Sequence, residues 1–132
     1  SDYFARNLPI PKPNEAINLD MVGDKQLTIP IERNSYRFNP KLVRKLWTRA
    51  REIDLNAFVS KLDIPIYDDH VPLYEIAGIP AINIIDFRYP NNKTNYWHTM
   101  DDVPENCSAS SLGQVGRLMV DYIYNISLNN LE

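Results

Sequence analysis

Apolar and polar positions along this chain follow two different periods. Leu42, Val43, Leu46, Trp47, Ala50 and Ile53 recur at helical spacing, while Lys41, Arg44, Lys45, Arg49, Arg51 and Glu52 occupy the opposite face. Asn39 followed by Pro40 is a capping side chain ahead of a first-turn proline, so the helix starts there. Its apolar stripe, Trp47 included, reads as core. Between Ala16 and Gly23 the period is two: Ile17, Leu19 and Met21 share a face, Asp20 lies on the other, and Gly23 stops the strand. Ile79 to Ile85 is apolar on both faces, as in a strand covered from both sides. Gln26 to Glu32 is a second strand candidate that Pro30 confines to an edge or breaks. Ala57-Phe58-Val59 opens a short strand, and Val71 to Ala77 forms a short helix ended by Gly78. A last helix, capped by Ser108 or Ser110, is expected to bury Leu112, Val115, Met119, Tyr122, Ile123 and Ile126. Residues 1–15, with Pro9, Pro11 and Pro13, read as an extended lead-in.

Strands alternating with helices predict an α/β protein with helices packed on a sheet. A length of 132 residues fits one domain, and 44% apolar with 23% charged residues is ordinary for a globular chain. The net charge of −3 points away from nucleic acid as a partner, and no run is apolar enough to span a bilayer. The single Cys107 excludes an internal disulfide framework and a zinc site built from several cysteines. Three short glycosylation patterns begin at Asn92, Asn106 and Asn125, a weak sign of secretion.

Candidate chemistry lies where strands end, the edge at which α/β sheets collect ligands. Asp20 sits at the end of an apolar strand, where a carboxylate needs a cation, a donor or the amides of a following turn. Tyr96-Trp97-His98-Thr99-Met100-Asp101-Asp102 places an imidazole beside a large ring with two acids behind it, a plausible metal-ligand setting. One of Asp101 and Asp102 is a candidate to orient His98 and the other to cap a turn. Ile66-Tyr67-Asp68-Asp69-His70 holds two acids and the only other histidine. Read simply, His70 and His98 share one metal, Asp69 caps the helix from Val71, and Asp68 takes a loop hydrogen bond. The polar, aromatic loop from Asp86 to Tyr96 suits the rim of a site.

Asp20 within Leu19-Asp20-Met21-Val22-Gly23-Asp24 is the first of four motifs in order. Asp68-Asp69-His70-Val71-Pro72, Gly78-Ile79-Pro80-Ala81 and Tyr96-Trp97-His98-Thr99-Met100-Asp101-Asp102 follow it. Together they resemble the zinc-dependent aminopeptidase family that also contains the animal-type glutaminyl cyclases. The resemblance runs from about Asn18 onward. It implies that His98 is a zinc ligand. Asp20 would be the ligand of a second zinc in a two-metal aminopeptidase, or a catalytic carboxylate sharing a proton with a glutamate in a one-metal cyclase. Asp68 would be an active-site acid, and Trp97, Phe87 and Tyr89 would line the pocket for a peptide N-terminus. Metal-assisted peptide hydrolysis is the leading expectation and glutaminyl cyclisation the runner-up. An interaction module that keeps the fold without the chemistry is a third reading. An extracytoplasmic location is also implied.

The family places a His-x-Asp motif and an acidic pair, usually Glu-Glu, upstream of the strand carrying Asp20. This sequence has neither, and only 19 residues precede Asp20. The chain therefore resembles the C-terminal half of a catalytic domain. Over residues 1–132 the expected fold is a partial α/β/α sandwich, with a mixed, mostly parallel sheet and flanking helices. Without the bridging carboxylate and general base it should hold zinc poorly and be inactive alone, and it should pair with its upstream half or with a second copy.

Overall fold

The computed structural model describes residues 1–126. In chain order the elements are α1 (Asp2–Arg6), β1 (Ala16–Asp20), β2 (Ile29–Ile31), α2 (Arg33–Phe38), α3 (Pro40–Glu52), β3 (Phe58–Leu62), α4 (His70–Glu75), β4 (Ala81–Ile85) and α5 (Ala109–Asp121). A 3-10 turn spans Pro104–Asn106 and a π-type turn spans Tyr122–Ile126. β1 and β4 pair in parallel, from Ala16 opposite Ala81 to Asp20 opposite Ile85. β2 and β3 form a second parallel pair whose register shifts between Ile29 and Ile31, where Pro30 offers no N–H. The fold is thus a partial α/β arrangement, as the alternation of periods predicts.

α3 begins where the Asn39-Pro40 pair places it, and Asn39 Oδ1 accepts from the Leu42 amide at 3.2 Å. Leu42, Val43, Leu46, Trp47 and Ala50 are buried against Ile29, Ile82 and Ile84, with Val115 and Leu118 of α5 closing the core. Full burial of each large aliphatic side chain stabilises by about 1.5–3 kcal/mol. The Trp47 indole adds direction: its N–H donates to the Ile29 carbonyl at 3.3 Å, and its ring meets Phe58 edge-on at 5.4 Å. All five residues of β4 are buried, so the strand has no solvent face. This places the carboxyl ends of β1 and β4 side by side, with Asp20 on one and Asp86 just past the other.

Four expectations need correction. The lead-in is not wholly extended, because Asp2–Arg6 forms a helix. The prolines begin only at Pro9, an acid and a base complement the two ends of α1, and Ala5 is buried against α4. The second strand shrinks to Ile29–Ile31 because Glu32 starts α2. The buried stripe of α5 is rotated: Ser111, Val115, Leu118 and Tyr122 face inward, while Leu112 and Ile123 are 51% and 57% exposed. The small Ser111 fixes this phase, since its hydroxyl donates to the Asp24 carbonyl at 2.5 Å. Beyond Asp121 the wider π-type turn takes Ile123 off the helical repeat, and the side chain of Ile126 lies outside the described residues. Finally, Asp69 stands at the cap position of α4 but makes no capping bond. Gly78 does end that segment, with φ 68° and its amide donating to the Tyr74 carbonyl at 3.0 Å.

Candidate active site

Two of the sequence-predicted acids meet. Asp20 at the end of β1 and Asp68 in the loop before α4 lie close enough for each to act on the other's carboxyl. Asp68 Oδ1 accepts from the Asp69 amide at 2.7 Å, and Oδ2 accepts from Asn83 Nδ2 at 2.8 Å. Asn83 is held in turn, its Oδ1 accepting from Asn18 Nδ2 at 3.0 Å. With N–H donors on both oxygens, Asp68 is fixed in place against Asp20. Desolvation raises the Asp20 carboxyl above the ordinary carboxylate range. The charge of Asp68 and the hydrogen bond to it add to this, and the Met21 amide works against it. Asp20 nevertheless stays accessible to solvent. The site therefore offers a reachable carboxyl whose surroundings favour its protonated form more than water does.

Asn18 and Asn83 are the functional neighbours that sequence reasoning missed. The signal was present: Asn83 is a polar residue inside the apolar run Ile82-Asn83-Ile84, and it is fully buried. Such a residue needs partners. Its own amide takes Ser35 Oγ as acceptor at 2.8 Å, and its side chain reaches Asp68.

The loop carrying Asp68 is anchored from beneath by Glu32 and His70, both buried. Glu32 Oε1 accepts from the amides of Asn34 (2.8 Å) and Ile66 (2.9 Å). Its Oε2 accepts from the Ser35 amide and hydroxyl at 2.8 and 2.7 Å, and lies 2.8 Å from His70 Nε2. Burial alone would raise this carboxyl. The bonds from His70, Ser35, Ile66 and Asn34 outweigh burial and hold it down to about 2. His70 is thereby withdrawn from solvent, which overturns the reading in which His70 and His98 share one metal.

Trp97 and His98 stand together at the surface. Their rings stack at 4.0 Å, and Phe87 leans on Trp97 from 5.3 Å. The loop behind them is closed by the Tyr96 amide on the Tyr89 carbonyl and by Asn95 Nδ2 on the Phe87 carbonyl, both at 2.6 Å. Asp101 and Asp102 take part through their amides, bonded to Thr99 Oγ1 and the Thr99 carbonyl. Among the described residues neither carboxylate is hydrogen-bonded to His98. Phe87 borders a hollow of about 190 Å³ walled by Ile64, Ile66 and Ile85. Tyr89 borders another of about 200 Å³, together with Asp20, Asp102 and Cys107. Met21, next to candidate ligand Asp20, and His98, itself a candidate ligand, adopt left-handed backbone at φ 51° and 58°. That conformation costs about 1–2 kcal/mol in a non-glycine residue, and the surrounding contacts must sustain it.

Asp20 and the exposed His98 are the side chains suited to a zinc ion. Among the described residues no group of three or more His, Cys, Asp or Glu side chains is arranged to hold a metal. The set present does not complete a zinc site by itself.

The sequence model of peptidase family M28 matches residues 1–123. The structure is similar to glutaminyl cyclase from Porphyromonas gingivalis, at 32% identity and a TM-score of 0.83, over 92% of this chain and 46% of that one. It is similar to glutaminyl cyclase from Tannerella forsythia at 32% identity and a TM-score of 0.86, over 94% and 44%. A Zn-dependent exopeptidase from Parabacteroides distasonis aligns at 31% identity and 0.86, again over 94% and 44%. The chain spans less than half the length of these proteins. With the family model covering nearly all of it, and the acid pair and strand ends arranged as described, the chain belongs to peptidase family M28.

Proposed function

We propose that this chain supplies the C-terminal half of the active site of a glutaminyl-peptide cyclotransferase and has no turnover without its upstream half. The observation that carries this reading is the closeness of Asp20 to Asp68, which Asn83 holds in place at 2.8 Å. Cyclisation of an N-terminal glutamine onto its own amine consumes no water. The attacking amine loses a proton and the departing ammonia gains one. A carboxyl that already shares a proton with a second carboxylate serves both transfers at one place. Asp20 would carry that proton, Asp68 would face it as partner, and Asn83 would fix Asp68. Trp97 offers an exposed ring as pocket wall, and His98 an imidazole for the zinc that the upstream half helps to hold. Bound zinc would polarise the amide carbonyl under attack.

The likeness to a Zn-dependent exopeptidase favours a second reading, in which Asp20 binds a second metal and the reaction is hydrolysis. That role needs an ionised Asp20 free of Asp68. The two are separated by joining the chain to its upstream half and supplying a glutaminyl peptide and an aminoacyl amide. Ammonia released from the first with no residue lost is the expected result. Hydrolysis of the second alone would overturn the cyclase reading. Turnover by the folded 132-residue chain by itself would overturn the claim of dependence.

A further inference from the structure

Asn18 sits at the centre of β1, and Asp20, two residues on, shares its face of the strand. In the parallel register Asn18 stands opposite Asn83 of β4. Asn83 is fully buried, so water reaches neither end of its side-chain amide. Its backbone is pinned too. The Asn83 N–H donates to Ser35 Oγ at 2.8 Å, and the Ser35 hydroxyl donates to Glu32 Oε2 at 2.7 Å. The choice left to the residue is which end of the amide faces Asp68. The oxygen and nitrogen ends fill nearly the same space, so packing does not make that choice and hydrogen bonds must. Asp68 Oδ1 is taken by the Asp69 amide at 2.7 Å, and Oδ2 accepts from Asn83 Nδ2 at 2.8 Å. At the other end, Asn83 Oδ1 accepts from Asn18 Nδ2 at 3.0 Å. The chain of donors therefore runs one way, from Asn18 through Asn83 to Asp68.

We propose that Asn18 is a positioning residue: by donating to Asn83 it fixes the polarity of the buried amide, which keeps a donor aimed at Asp68 and sets the direction in which that acid meets Asp20. The inference rests on Asp68 being an active-site acid, as in the function proposed above. Turned over, the Asn83 amide would put its oxygen against Asp68 Oδ2 and its NH2 against the NH2 of Asn18. Both contacts would be mismatched, and a buried mismatch is not relieved by solvent. With Asn18 in place, one orientation is satisfied at both ends and the other at neither.

A role in joining the strands alone does not account for the pair. β1 and β4 are already paired along their length, from Ala16 opposite Ala81 to Asp20 opposite Ile85. Ile17 stands opposite Ile82 and Leu19 opposite Ile84 in the same two strands, so apolar pairs serve there without polar cost. Two amides become useful where a third group has to be held, and Asp68 is that group. A group displaced by about 1 Å at a reacting centre costs up to about 10²-fold in rate, so the direction of this one chain is a lever on turnover.

The test uses Asn18→Asp, whose carboxylate accepts and cannot donate, beside Asn18→Leu, which does neither. In the full chain labelled with 15N and 13C, hydrogen-bond couplings should join Asn18 Nδ2 to the Asn83 carboxamide carbon and Asn83 Nδ2 to the Asp68 carboxyl carbon. Asn18→Leu should keep the second coupling. Asn18→Asp should lose it and gain one from Asn83 Nδ2 to the new carboxylate. In the protein joined to its upstream half, kcat on a glutaminyl peptide should fall about 2- to 10-fold in Asn18→Leu and about 10- to 100-fold in Asn18→Asp, with KM nearly unchanged in both. Persistence of the coupling between Asn83 and Asp68 in Asn18→Asp, or equal kcat in the two variants, would overturn the proposal. So would a change confined to the thermal midpoint, which is what a strand tie alone predicts. If Asn18→Asp does not fold, absence of either wild-type coupling, or an unchanged kcat in Asn18→Leu, overturns it. A wild type that turns over no glutaminyl peptide refutes the function proposed above and leaves the couplings to decide the role of Asn18.

Discussion

Replacing Glu32 with glutamine keeps the shape of a buried side chain and removes its charge. Its two oxygens accept from four backbone or hydroxyl donors and face the His70 ring, all within 2.9 Å. An amide nitrogen put in place of Oε1 orphans the Asn34 and Ile66 amides. Put in place of Oε2, it orphans the Ser35 amide and forces the Ser35 hydroxyl and the His70 tautomer to adjust. Each orphaned donor costs about 1–3 kcal/mol. Linkage gives the same size independently. A fall from an ordinary 4.5 to about 2, at about 1.4 kcal/mol per pH unit, is worth about 3 kcal/mol of stability at neutral pH. The sign follows from the depressed value: this stability is present above pH 4.5 and disappears as pH drops toward 2. Urea unfolding of wild type and Glu32→Gln at pH 7 should therefore differ by about 3 kcal/mol, and the gap should close steadily between pH 4.5 and 2. A gap below about 1 kcal/mol at pH 7, or one that persists in acid, would refute the reasoning.

Three further outcomes follow from the geometry. In the complete protein, Asp20→Asn should lower kcat about 10²- to 10⁴-fold with a much smaller change in KM, measured by steady-state kinetics, because it removes the proton-carrying carboxyl and leaves the pocket walls intact. Gly78→Ala should cost about 1 kcal/mol in urea unfolding for its φ of 68°, with further loss if Lys12 Nζ, 2.9 Å from the added methyl position, cannot move aside. Leu118→Ala, at a fully buried position between α5 and α3, should cost about 2–5 kcal/mol by the same measurement.

What could be read from the chain was whatever depended on local period. α3 followed from its stripe and the Asn39-Pro40 start, and the buried β4 from residues apolar on both faces. α2 was hidden because its cap is Glu32, outside the usual capping set, and that glutamate stays buried only because Ile66 and His70 arrive from far along the chain. The phase of α5 is not legible in the sequence, because Leu112 and Ile123 are as apolar as Val115 and Leu118. Only the approach of Asp24 to Ser111 decides which side turns inward. In the site, the motifs drew attention to Asp20 and Asp68, but their union depends on Asn83. A buried asparagine is visible in a sequence, whereas the group it reaches is not. Zinc belongs to the family, and among the described residues too few donors gather in one place to grip the ion without the rest of the domain.

The stacking of Trp97 on His98 gives the protein a built-in optical gauge. Trp47, the other tryptophan, is buried 3% exposed in the core with its indole committed to Ile29, so its emission should stay constant while the fold holds. Trp97 lies 4.0 Å from the imidazole, so an ion captured by that ring changes the electronic surroundings of one fluorophore and spares its companion. Occupancy at His98 could then be followed by light in the unlabelled protein, with no substrate present.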